Sequence, residues 1–257
     1  MKQKVSYELN AFHRTATNFF SLVSFKQMNY DNLVAFATGV QASGLNPVIV
    51  NKVDDAFLTN LSICQSFYLK NNLPWALILP EYLYNARVAE LLKNQGFILA
   101  DKGVAMAVLI EAIGFPSLDS TMKIKEMKKD LTTWSLPLVA FDPASELSEE
   151  YPERHRQASE SGALLYHFSG FIHDKVVCSL SLSFCDNKAR IDDVATMPAY
   201  QKRGYATQLI YAALNYVKQL NSTHCFLEAS NSGLGLYKKI GFHELFINHY
   251  YEPSPII

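Results

Sequence analysis

Ten residues starting at Tyr200, YQKRGYATQL, bring two basic side chains, a glycine and an alanine together just ahead of an apolar-periodic segment. That grouping suits the chemistry of anions. The first backbone N–H groups of a helix have no intrahelical partner, and the helix dipole is positive at that end. A phosphate or pyrophosphate fits there. Gly204 lets a ligand approach the backbone where a Cβ would obstruct it, and Ala206 is small for the same reason. Lys202 and Arg203 add positive charge at the rim, and Gln201 can hydrogen-bond to loop or ligand. The stretch reads as a diphosphate cradle built mostly from backbone. Taken alone, it reads equally well as a helix cap with basic neighbours.

The flanking pattern shows what must hold the cradle. After Gly204, the residues Leu209, Ile210, Ala213, Leu214, Val217 and Leu220 recur at spacings of three and four, the apolar face of a helix. Before it, Ala163–Ile172 is a strand candidate. In the next segment Val176, Cys178, Leu180, Leu182 and Phe184 alternate with small polar residues, the period of a half-buried strand. ARIDDVAT, ending at Thr196, makes a third strand, and short turns make the three an antiparallel meander. HCFLEAS is a strand after the helix, so the strand–helix–strand unit implies parallel pairing. GLGLYKKI is a short helix stopped by Gly241, and FHELFINHYYEP is β-like.

The first half echoes this order. PWALILP is a strand, NARVAELLKNQGF a helix ending in Gly-Phe, and GVAMAVLI a strand. Leu91, Lys93, Gly96 and Phe97 line up with Leu236, Lys238, Gly241 and Phe242, which points to a duplicated fold. Nothing in the first half matches YQKRGYA. The joint is IGFPSLDSTMK, rich in Gly, Pro, Ser and Asp. KIKEMKKD after it reads as a solvated strand edge or loop, and SELSEEYPERHRQASES as a surface helix broken near Pro152.

Composition narrows the partners. At 257 residues the chain has room for two domains, and 49% hydrophobic content is ample for a core. A net charge of −1 disfavours nucleic acid. No apolar run reaches membrane-spanning length, and the first residues have no apolar signal core, so a cytoplasmic protein is expected. The four cysteines read as buried thiols in a reducing compartment. No HExxH or Cys/His cluster occurs, so no metal is expected. The GxSxG, GxxxxGK[ST] and GxGxxG motifs are also absent.

Gln201-x-x-Gly204-x-Ala206, after a strand and opening a helix, resembles the Q/R-x-x-G-x-G/A signature of the GNAT N-acetyltransferase superfamily. EASNSGLGLYKKIGF resembles that family's second signature, an Asn and a Tyr before Gly-Phe. The resemblance covers about Thr121 to Pro253, and the first half looks like a degenerate copy with Leu92 in the place of Tyr237. It implies an α/β fold with a mostly antiparallel central sheet flanked by helices, in tandem. The degenerate domain would occupy 1–115 and the transferase domain 121–257.

The resemblance further implies acetyl-CoA, or a related acyl-CoA, as donor and an amine as acceptor. The backbone of Val194, Ala195 and Thr196 would pair with the pantetheine arm as a further strand. Gln201 and the backbone of Lys202, Arg203, Gly204, Tyr205, Ala206 and Thr207 would serve the diphosphate end. Asn231 would hydrogen-bond to the cofactor, and Tyr237 would stand near the sulfur as general acid. A backbone N–H, from Val194, would meet the oxyanion.

Asp192, Asp193 and Glu228 are the acidic candidates for a base, and alternation keeps Asp192 and Asp193 from both facing the cleft. Tyr237, Asp192 and Glu228 make up the expected catalytic set. An amine arriving neutral would need no dedicated base. Trp75, Tyr82 and Tyr84 could line an acceptor wall, though core packing also accounts for them. A catalytically silent acyl-CoA sensor is the alternative function, and a nucleotide-binding domain is a third reading. The acceptor's identity and the choice between monomer and homodimer stay open.

Overall fold

The changes of period along the sequence become the joints of a single large sheet. The computed structural model describes residues 2–117, 121–141 and 149–254. The first half runs α1 (Lys2–Val23), β1 (Lys26–Asn29), β2 (Leu33–Ala37), β3 (Pro47–Val50), α2 (Phe57–Lys70), β4 (Ala76–Pro80), α3 (Ala86–Asn94) and β5 (Phe97–Leu109). The second runs β6 (Lys123–Glu126), α4 (Leu131–Phe141), α5 (Glu150–Glu160), β7 (Leu165–Ile172), β8 (Lys175–Cys185) and β9 (Lys188–Thr196). It continues through α6 (Tyr205–Gln219), β10 (His224–Ala229), α7 (Leu234–Ile240) and β11 (His243–Pro253). Residues 118–120 of the expected joint and 145–148 of the expected polar helix lie outside the described residues.

The eleven strands form one sheet in the order β1-β2-β3-β4-β11-β5-β10-β9-β8-β7-β6. Only β3–β4 and β9–β10 pair in parallel, each across a helix, as right-handed crossovers require. The order shows an exchange. β5, made by the first half, pairs with β10 of the second. β11, made by the second half, pairs with β4 of the first. β5 and β11 then pair with each other antiparallel at the centre.

The two Gly-Phe pairs build this exchange. Gly96 and Gly241 both take positive φ, +77° and +118°, where each helix stops. A residue with a Cβ is strained there. The following Phe97 and Phe242 are buried, which fixes the start of each exchanged strand. Leu92, in the place of Tyr237, is fully buried in the core of the first half.

One face of the second half is covered by α6, whose Leu209, Ile210, Ala213, Leu214 and Val217 are buried. Leu220, expected on that face, is 43% exposed because the helix ends at Gln219. The other face departs from expectation. Ser179, Ser181 and Ser183 of β8 are buried, so the strand is covered on both sides and not half-buried. The covering helices are α1, α4 and α5, which the apolar periodicity of the neighbouring segments did not announce.

α5 is not a solvated face either: Tyr151, His155 and Ala158 are buried. Pro152 sits in its first turn, where a missing N–H costs nothing, so it does not break the helix. Trp134 of α4 is fully buried and donates its Nε1–H to the Leu180 carbonyl at 3.0 Å. β6 is the sheet edge expected of KIKE. Cys64, Cys178 and Cys225 are buried free thiols, whereas Cys185 is half-exposed at the end of β8. No described helix is long and apolar enough to cross a membrane.

Candidate functional site

β9 and β10 pair only at Ala189–Cys225 and Arg190–Phe226. Beyond that point no pairing joins them, so the sheet has a split flanked by residues 191–196 and 227–229. On β9 the register to β8 also slips. Ser181 opposes Asp192 and Ser179 opposes Ala195, so Leu180 faces both Asp193 and Val194. This is a β-bulge, and Asp193 sits in it with φ +56°. A non-glycine residue there carries roughly 1–2 kcal/mol of strain. Two hydrogen bonds hold it: Tyr151 donates to Asp193 Oδ1 at 2.7 Å and Ser181 to Oδ2 at 2.5 Å.

The bulge corrects one expectation. It resets the alternation, so Asp192, opposite Ser181, and Asp193, bonded to Ser181, both face the side covered by α1 and α5. Arg190, a residue the sequence reading missed, is 3% exposed and gives its Nε–H to both oxygens of Asp192, at 2.9 and 3.0 Å. Its guanidinium lies 5.0 Å from the Phe12 ring of α1.

At the end of β9 the Met197 N–H donates to the Val177 carbonyl at 2.8 Å. By alternation Ala195 faces β8 in the ladder, and the backbone of Thr196 faces the open edge. The Thr196 carbonyl there accepts from Gln201 Nε2 at 3.2 Å. A short turn, Pro198–Tyr200, leads into the loop. Lys202 and Gly204 both take positive φ, +59° and +82°, on either side of Arg203. Such alternation turns successive N–H groups into an anion-binding concavity. The first helical bond of α6 runs from Gln208 N–H to the Gly204 carbonyl, so the N–H groups of Tyr205, Ala206 and Thr207 lack intrahelical acceptors. A Cβ built on Gly204 meets no protein atom within 4 Å and would project into open space.

The loop borders a cleft of about 440 Å³. Thr196, Gln201, Lys202, Gly204, Ala206 and Thr207 line it, as does Tyr205. Lys239 and Tyr211 line it too and escaped the sequence reading. Both lysines after Tyr237 are exposed, and Lys238 pairs with Glu244, which leaves Lys239 to the cleft. Arg203 does not line the cleft; its guanidinium lies 5.7 Å from the Tyr200 ring. Val194 and Ala195 are not lining residues either, and the Ala195 side chain packs beneath α4. Asn231 is exposed in the turn after β10, outside this cleft.

Tyr237 is buried in the core that α6 caps, its ring 5.9 Å from that of Phe242. Gly233 makes room for it, since a Cβ there would come within 3.0 Å of the ring. Burial, and then the charge of Asp192, raise the Tyr237 phenol well above its ordinary value, so it keeps its proton at any physiological pH. Glu228 lies on the opposite side of the sheet. It accepts from Tyr250 at 2.7 Å and from Asn248 at 2.9 Å, both on β11. Burial raises its carboxyl above the usual range, and Tyr250 opposes the rise. Burial likewise raises Asp192, against Arg190. Burial and the Asp192 charge push Asp193 up to about 7.

A histidine pair backs the bulge. His155 and His167 are 0% and 3% exposed, and His155 Nδ1 lies 2.8 Å from His167 Nε2. Burial holds His155 well below its ordinary value and takes His167 down to about 3. The depressed folded values mean the stability each contributes is complete above about pH 6.5 and is lost as pH falls below it, for His167 toward about 3. Asp193, raised, works the other way, losing stability as pH climbs from about 4 to 7. Four depressed histidines, His13 and His249 together with this pair, stand against three raised carboxylates, Asp192, Asp193 and Glu228, so the protein is expected to destabilise between about pH 6.5 and 5. A His167→Gln variant should lose about 1.4 kcal/mol per pH unit less over that window. Urea denaturation at both pH values checks this, and equal slopes would refute it.

The comparisons agree with this geometry. Residues 130–242 match the model of the Acetyltransferase (GNAT) family. No curated protein matches the sequence. Among solved structures, a GCN5-related N-acetyltransferase from Kribbella flavida superposes with a TM-score of 0.70 at 13% identity, covering 96% of each chain. A GCN5-related N-acetyltransferase from Sphaerobacter thermophilus gives 0.65 at 13% identity, over 88% of this chain and 78% of that one. A tandem GNAT protein from the clavulanic acid biosynthesis pathway gives 0.58 at 12% identity, over 88% of this chain and 79% of that one. At these identities the structures speak for the fold, tandem arrangement included, and the family match speaks for the chemistry. Residues 130–242 are therefore the part of the chain that matches the GNAT acetyltransferase family, within a fold shared with N-acetyltransferases of that kind.

Proposed function

We propose that the protein is an acetyl-CoA-dependent N-acetyltransferase acting on a primary amine by direct attack in a ternary complex. The observation that carries this reading is the split between β9 and β10, with a basic, backbone-lined loop at one mouth and carboxylates at the other. Acetyl-CoA supplies an acyl carbon activated as a thioester. The N–H groups of Tyr205 to Thr207 and the charges of Lys202 and Lys239 suit its diphosphate. The open edge of Thr196 suits its amide arm. The backbone N–H of Val194, in the strained bulge, would serve as the oxyanion donor.

The electron and proton balance is simple. Glu228 takes one proton from the ammonium form of the acceptor. The freed lone pair forms the C–N bond, and the C–S bond breaks. Tyr237 gives its proton to the leaving sulfur and recovers one from solvent. The second amine proton and the one on Glu228 return to solvent. Asp192, with both oxygens engaged by Arg190, tunes Tyr237 through its charge and has no proton-transfer role.

One donor site per chain is expected. The turn before α2 stands where the cradle loop stands before α6, and it is filled by the protein's own carboxylate. Asp54 Oδ1 accepts from the Ala56 N–H at 3.2 Å and from Asn32 at 2.7 Å. A diphosphate there would meet negative charge instead of open N–H groups. Calorimetric titration with acetyl-CoA, CoA and ATP tests both points. Binding of the first two at one site per chain, without ATP binding, is the expected result. Two sites would refute the argument from Asp54. Absence of CoA binding would remove the transferase reading, and binding without turnover on any amine would favour a sensor.

A further inference from the structure

We propose that the acceptor is a small amine carrying a second cationic group, and that it binds in a cleft built jointly by both halves of the chain. The inference rests on the transferase reading above and adds the acceptor's class and place.

The cleft encloses about 350 Å³ and lies at the exchanged strands. Its floor is Glu228 of β10. Asp101 and Lys102 of β5, Glu252 of β11, and Ser43 and Gly44 from the turn between β2 and β3 complete it. So a wall of the site comes from the first half, although Trp75, Tyr82 and Tyr84 do not form it. Trp75 is buried core, stacked on Tyr68 at 5.1 Å. Tyr82 contacts His13 of α1, and Tyr84 packs on His249.

The position is right for an acceptor. Parallel pairing of Phe226 with Arg190 carries Glu228 to the level of Asp192 beside the split. Glu228 and Asp192 sense each other electrostatically, and Asp192 in turn reaches Tyr237. The cleft thus opens on the face opposite α6, while the basic cradle lies at the N-terminus of α6. An amine and a thioester entering from the two faces would meet at the gap.

The site is also built for its charge. Gly103 permits it, because a Cβ there would overlap Glu228 Oε1. With no Cβ in the way, Glu228 crosses β5 to reach Asn248 and Tyr250. Asn248 is 3% exposed, and its Oδ1 finds no donor among the described residues. A buried acceptor beside the floor is the kind of group an ammonium or amine N–H satisfies.

At the rim, Asp101 and Glu252 have no ion-pair partner among the described residues. Asp101 accepts only the Lys102 backbone N–H, and Glu252 the Ser43 hydroxyl at 2.5 Å. Three carboxylates thus face one lysine. Opposite potentials at the two mouths sort an anionic donor from a cationic acceptor. A volume near the lower end of ligand pockets, about 300–1,000 Å³, fits a small molecule and not a folded segment.

The test uses the full-length protein with two probes of equal length, 1,4-diaminobutane and 4-aminobutyrate. Release of CoA thiol reads turnover, and calorimetry without acetyl-CoA reads the cleft alone. The diamine should bind and be acetylated in preference to the amino acid. Asp101→Asn should raise the KM for the diamine about three- to five-fold, the size of a lost, part-exposed ion pair. Asp101→Lys should raise it about ten-fold or more and narrow or invert the preference, with acetyl-CoA affinity unchanged in both.

Equal use of the two probes, turnover of neither with acetyl-CoA bound, or insensitivity of the diamine KM to both variants would overturn the proposal while leaving the transferase reading standing. Diamine binding in the absence of any CoA binding would do the reverse, keeping the cleft and removing the donor.

Discussion

Replacing Gly204 by glutamate should abolish acetyl-CoA binding, with affinity falling by about 10³-fold or more. Three effects act together. Gly204 holds φ +82°, so any other residue adds roughly 1–2 kcal/mol of backbone strain. Its Cβ would meet no protein atom, so the new side chain extends into the cleft and does not displace a neighbour. The carboxylate then stands among the N–H groups of Tyr205 to Thr207, whose charge-assisted hydrogen bonds to an anion are worth about 1.5–3 kcal/mol each.

Because Gly204 packs against nothing, the variant should still fold and show a cooperative thermal transition. Gly204→Ala separates the contributions. It carries the strain and a little bulk but no charge, so it should bind with intermediate affinity. Titration of the three proteins reads the series. A glutamate variant that binds as tightly as the wild type would show that the diphosphate does not sit at this loop.

The second large effect is on turnover. Tyr237→Phe should lower kcat about 10²-fold, the lower end of what a positioned acid contributes, while the KM for acetyl-CoA stays within about two-fold. Phenylalanine keeps the ring against Phe242 and over Gly233, so the core is undisturbed. The phenol is raised above its ordinary value of about 10 by burial and by Asp192, so it never runs short of its proton between pH 6 and 10. The alkaline limb of the wild-type profile over that interval should therefore not come from Tyr237, and the variant should scale the rate down without moving the limb. Full activity in the phenylalanine protein would take Tyr237 out of the mechanism.

The parts of the site that could be read from the sequence are those carried by local signals. Gly204, Ala206 and the helix after them are specified within a dozen residues, and the loop, its positive φ and α6 follow. Both Gly-Phe stops were visible for the same reason. What escaped notice depends on contacts distant in sequence. The serines of β8 look like an exposed face until α1, from the far end of the chain, lies over them with α4 and α5. Tyr151 and His155 look like part of a charged surface helix. They are buried because Asp193 and His167 wait beneath them.

The Asp192 and Asp193 side chains share a face only because a bulge adds one residue, which alternation counted along a strand cannot foresee. Glu228 was noticed as an acid, but not that Gly103, 125 positions earlier in the chain, clears its path. Lys239 and Arg190 were missed because a lone basic residue has no pattern of its own.

The strand exchange sets an order of events in the making of the protein. β4 needs β11 at its edge, and β11 is made only after every other strand of both halves. The half of the chain that leaves the ribosome first is thus the half whose sheet is completed last. Until then β4 and β5 expose unpaired edges on the nascent chain, the kind of surface that invites stray pairing. The second half depends in the same way on a strand already made, since β10 docks against β5 as soon as it emerges. Neither repeat is a unit that could be inherited, excised or transplanted intact. The two halves are locked together by trading strands, and the candidate site is dependable only when both halves have been made.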